Sequence, residues 1–97
     1  MASSQFKVHE DIVSEIVNVS GTTAANGGIN VTTNYNYTTG SIYAMSNISD
    51  DNTKNYRITV AGKPYPNAVT LRYRNTTDNS ALANTSVSDK VLIIGKI

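Results

Sequence analysis

Apolar and polar side chains alternate with a period of two along most of this chain, in strand-length segments closed by turn residues every eight to twelve positions. Tyr56–Ala61 puts Tyr56, Ile58 and Val60 on one side and Arg57 and Thr59 on the other. Ala68–Arg74 opposes Val69, Leu71 and Tyr73 to Thr70, Arg72 and Arg74. Ile29–Tyr37 opposes Val31, Thr33, Tyr35 and Tyr37 to an uncharged row of Asn30, Thr32, Asn34 and Asn36, and Ser41–Asn47 continues with Ile42, Ala44 and Ser46 against Tyr43 and Met45. This period suits a half-buried sheet. The expected fold is all-β, a small antiparallel β-sandwich or barrel.

One segment is ambiguous. Between Phe6 and Val19 the residues Val8, Ile12, Val13, Ile16 and Val17 fit a helical stripe, yet nearly all are β-branched, which favours strand. The preferred reading is a short strand at Phe6–His9 and a longer one at Ile12–Val19, with one short N-terminal helix as the alternative. Asn26-Gly27 is the strongest hairpin signal in the chain. The prolines of "GKPYPN" interrupt the pattern, since neither suits a central strand. The closing "VLIIGKI" is apolar on both faces at Val91–Ile94, so it should be central, with its far end, Gly95–Ile97, at or near a subunit contact.

Ninety-seven residues make one β-rich domain, 1–97. A chain this short buries only about 60–65% of its unfolded surface. It has no cysteine, which excludes disulfides and Cys-based metal sites and leaves self-association as a source of further burial. Net charge is +1, from eight basic and seven acidic residues without a basic stripe, so nucleic acid is not an expected partner. No segment reaches the roughly 18 apolar residues of a membrane span, and no secretory signal is visible at "MASSQFKVHED". The charged fraction is 15%, against about 25% in ordinary domains, and Asn, Thr, Ser and Tyr supply the polarity instead. Such a surface is cheap to desolvate, which suits coverage by a partner or a glycan. The N-x-S/T sequons at Asn18, Asn30, Asn36, Asn47, Asn75 and Asn84 follow from that composition.

Catalytic patterns are missing. His9 is the only histidine, and its neighbour Glu10 would face the other side of a strand, so no base–orienter pair forms. The oxygen-rich stretches Asp50–Asn55 and Thr77–Ser80 lack calcium-loop spacing. No enzyme activity, metal or cofactor is expected. The residues best suited to contact a partner are Tyr65, held between Pro64 and Pro66, the amide row at Asn34 and Asn36, and the terminal Gly95, Lys96 and Ile97. Tyr65 reads equally as an interface anchor, a sugar-stacking platform or a residue folded back on the core.

In its β-rich, cysteine-free and Asn/Thr/Ser/Tyr-laden character the chain is similar to small structural proteins of virions, such as head-decoration or cement proteins and tail components of phages. That resemblance implies a non-enzymatic subunit, made in the host cytoplasm and acting in the virion, whose partners are copies of itself and a larger assembly such as a capsid or tail. The alternative is a small carbohydrate-binding, lectin-like module.

Overall fold

The computed structural model describes residues 11–47 and 53–97. Six strands supply its regular structure: β1 (Ile12–Thr22), β2 (Gly28–Thr32), β3 (Tyr43–Ser46), β4 (Tyr56–Gly62), β5 (Ala68–Asn75) and β6 (Ser86–Lys96). There is no α-helix among the described residues. The β-branched run from Ile12 to Val19 is strand, as its restricted side-chain torsions favour. Phe6–His9 and the His9 side chain lie outside the described residues.

The strands pair antiparallel in two three-stranded sheets, sheet A in the order β1-β6-β3 and sheet B in the order β2-β5-β4. β1 lies against β2 and β3 against β4, so the two sheets stack with their edges aligned as a small β-sandwich. β6 and β5 are the central strands, and they carry the interior. Val69, Leu71 and Tyr73 from β5 and Val91 and Ile93 from β6 have no exposed surface. Each such side chain contributes about 1.5–3 kcal/mol by leaving water.

Two carboxylates also point inward, and both are held by tyrosines. Asp89, on β6, accepts hydrogen bonds from Tyr73 (2.9 Å), Tyr56 (3.0 Å) and the Lys54 ammonium (2.7 Å). These bonds join sheet A to sheet B, and the rings of Tyr56 and Tyr73 pack with centroids 5.2 Å apart. Burial, then the bond to Asp89, pushes the Tyr73 phenol well above its ordinary pKa. Nearer the start of β1, Glu15 accepts from the Tyr37 hydroxyl (2.8 Å) and from the Asn34 backbone N–H (2.9 Å), and burial with Glu15 raises the Tyr37 phenol likewise.

Asn26-Gly27 is a turn but not the turn of a hairpin. β1 pairs with β6 and β2 with β5, so the chain changes sheets here. Gly27 has φ 81°, donates its N–H to Ala24 and accepts from the Tyr73 N–H (2.8 Å). A Cβ at Gly27 would strike the Tyr73 carbonyl. The close approach needs glycine as much as the turn does.

The strand expected over Ile29–Tyr37 ends at Thr32. Its partner β5 begins at Ala68, directly opposite Thr32, so no ladder exists beyond that point. Thr33 turns the chain, its hydroxyl donating to the Tyr35 carbonyl (2.7 Å), and Tyr37 then drops into the interior. β2 is therefore a five-residue edge strand, and its shortness limits the exposed, unpaired backbone that makes edges prone to aggregation.

Candidate functional site

Alternation fixes what each sheet shows to solvent. On β1 the inward positions are Val13, Glu15, Val17 and Val19, which leaves Ile12, Ser14, Ile16 and Asn18 outside. On β6 the outward set is Ser88, Lys90, Leu92, Ile94 and Lys96, and on β3 it is Tyr43 and Met45. Strand register brings these into rows. Ile16, Leu92 and Met45 stand directly across from one another on three strands, and Ser14, Ile94 and Tyr43 form the next row.

The outer face of sheet A is consequently apolar at its centre. Ile16, Tyr43 and Met45 are 69%, 67% and 64% exposed, and Leu92 and Ile94 between them are half-buried. Two shallow hollows mark the face. One, of about 380 Å³, is lined by Ile12, Ser41, Tyr43, Ile94 and Lys96; the other, of about 300 Å³, by Ile16, Met45, Leu92 and Lys90. Lys90 and Lys96 bracket Leu92 and Ile94 along β6. Flanking lysines of this kind oppose indiscriminate sticking while leaving an apolar centre open.

The residues singled out from the sequence fall in three places. Tyr65 is 65% exposed on the loop joining β4 to β5. Asn34 and Asn36 are exposed on the segment after β2; Asn34 is fastened by its backbone to Glu15 and accepts a bond from the Asn67 side chain (3.2 Å). Lys96 and Ile97 are exposed at the end of β6, and Lys96 belongs to the outer face of sheet A. Gly95 faces inward and is covered by the chain's own Tyr37 and Ser41, where a Cβ would come within 2.8 Å of the Tyr37 ring. Alternation puts it on the opposite face of β6 from Lys96.

Sequence reading did not select Ile16, Met45 or Leu92 as a group. Each lies on a different strand, and only the pairing of β1 and β3 with β6 aligns them. Glu15 and Asp89 do carry a signal in the sequence: each occupies the inward parity of its strand, between valines.

No family model, curated protein or solved structure matches the chain. Chemistry at the faces must carry the functional reading. Asp89 has its oxygens occupied by hydrogen bonds from Tyr56, Tyr73 and Lys54. Among the described residues no cluster of three His, Cys, Asp or Glu side chains is placed to hold a metal ion.

Proposed function

We propose that the protein is a non-enzymatic structural subunit that associates with copies of itself and seats on a larger assembly, a virion capsid or tail, through the outer face of sheet A. The observation that carries this reading is the aligned, exposed row Ile16–Leu92–Met45 with Tyr43 and Ile94 beside it. Solvent exposure of so much aligned apolar surface is unfavourable for a lone domain, and burial against a second surface relieves it. The uncharged Asn/Thr/Ser/Tyr composition supports the virion setting.

Size argues for many weak contacts. The apolar part of the face measures about 10 Å across three strands and about 14 Å along them. A standard stable interface buries roughly 800 Å² on each partner. One such contact is therefore weak, and an array of subunits gains through multivalency what a single pair lacks.

Light scattering over a concentration series tests the reading. The wild-type protein should show a rising mean mass with concentration, and Ile16→Lys should abolish the rise without unfolding the domain. A strictly monomeric wild type that also fails to bind a particle surface would refute it. The second reading, a carbohydrate-binding module, draws on the exposure of Tyr65 between two prolines. Saturable binding to a glycan that is lost in Tyr65→Ala would favour it instead.

A further inference from the structure

The chain contains three arginines, Arg57, Arg72 and Arg74, and all three stand on the outer face of sheet B. Arg57 on β4 lies directly across from Arg74 on β5, and Arg72 is two residues along β5 on the same face. Their backbones are thus separated by about 5 Å across the strands and about 7 Å along them. Like charges placed directly opposite in a sheet are unfavourable, so this arrangement calls for a counter-charge.

None is supplied by the described part of the chain. The ion pair among the described residues is Lys54 with Asp89, in the interior. Arg57 and Arg74 share a neutral partner, Asn79, the first reaching its side-chain oxygen and the second its carbonyl (3.1 Å). The adjacent carboxylate, Asp78, is turned away into its own loop, accepting from the Ser80 hydroxyl (2.7 Å) and N–H (3.0 Å), and these bonds hold its pKa below the usual carboxylate value. Arg72, between Gly28 and Thr59 in the middle of the sheet, has a buried Nε–H with no acceptor. A buried guanidinium donor without a partner is uncommon.

We infer that Arg57, Arg72 and Arg74 form a binding site for a doubly charged tetrahedral oxyanion, a phosphate or sulfate group. Planar guanidinium forks match such oxygens in bidentate fashion, and a compact triad fits one concentrated dianion better than an extended polymer track. Asn79 accepts a hydrogen bond from two of the three forks, so those side chains have less freedom to lose on binding. No aromatic side chain stands on this face of β4 or β5, which leaves charge and hydrogen bonding as the means of recognition.

The test is titration of isotope-labelled protein with sodium sulfate, and separately with phosphate, at ionic strength held constant with sodium chloride. The Arg72 Nε–H resonance should shift saturably, with half-saturation at about 1 mM or below. Arg72→Gln should weaken binding at least about tenfold, the size expected for a lost charge-assisted contact. Arg57→Gln and Arg74→Gln should each weaken it too, whereas Lys90→Gln, the same charge change on sheet A, should not. A second arm compares a sulfated oligosaccharide with its desulfated parent; tighter binding of the sulfated form identifies a carried group rather than a free ion as the source. The inference is overturned if no probe gives a saturable shift, or if Lys90→Gln weakens binding as much as Arg72→Gln. Should Arg72→Gln not fold, the Arg57→Gln/Arg74→Gln double variant gives the same reading, and unchanged binding there overturns the site.

Discussion

The two sheets follow one rule inside and opposite rules outside. Facing each other, both are mainly apolar: sheet A presents valines, Ile93 and the carboxylates of Glu15 and Asp89, and sheet B presents Ile58, Val69 and Leu71 with Tyr56 and Tyr73, whose hydroxyls donate to Asp89. Facing solvent, sheet A shows Ile16, Leu92, Met45, Ile94 and Tyr43, and sheet B shows Arg57, Thr59, Thr70, Arg72 and Arg74. Burial favours apolar side chains on both inner faces. The outer faces are not held to that rule, and they differ.

The largest effect is expected where the two sheets meet. Tyr73→Ala removes a fully buried ring from β5 and takes one donor from Asp89, so it should cost about 3–5 kcal/mol in urea unfolding and disable both faces together. A loss below 1 kcal/mol would mean that the sheets do not depend on this contact.

Alkali should act on the same interior. Tyr37 and Tyr73 have raised pKa values in the folded protein, whereas in the unfolded chain each ionises near pH 10. Their contribution is therefore intact below about pH 10 and declines above it, because only the unfolded chain releases these protons. The expected slope is about 1.4 kcal/mol per pH unit for each tyrosine. Ultraviolet titration should show these two phenols ionising only as the protein unfolds; normal titration of all six in folded protein would contradict it.

The outer faces respond to smaller changes. Thr59→Lys places on sheet B the charge that Ile16→Lys places on sheet A, and it should leave self-association unchanged within about twofold, since a surface substitution there shifts stability by no more than about 0.5 kcal/mol. Equal loss of association in both variants would erase the distinction between the faces. Smallest of all, Arg57→Thr removes one of two opposed like charges and should stabilise the free protein by a few tenths of a kcal/mol at low salt, fading at 1 M salt.

The sequence shows the strands more readily than their partners. β4 and β5 stand almost where alternation puts them, and β6 is central, as its apolar Val91–Ile94 stretch requires. β2 stops short because its length is set by β5, a constraint that lies 36 residues away at Ala68, opposite Thr32. Asn26-Gly27 announces a turn by local chemistry, but local chemistry does not say which sheet the next strand joins. The same limit applies to both faces: Arg72 and Arg74 share a side visibly, while Arg57 joins them only through pairing, and Ile16 meets Met45 only through β6.

That dependence on β6 has a consequence in time. β1, among the first strands to be synthesised, pairs along its whole length with β6, from Ile12 opposite Lys96 to Thr22 opposite Ser86. Contacts so distant along the chain make for slow folding, on the millisecond-to-second scale typical of all-β domains. β3 likewise has no neighbour in its sheet except β6. Until the ribosome has released that strand, sheet A cannot exist, and Ile16, Leu92 and Met45 cannot lie in one row. A nascent or interrupted chain that lacks β6 therefore cannot present the apolar outer face of sheet A, whereas the strands of sheet B are already synthesised.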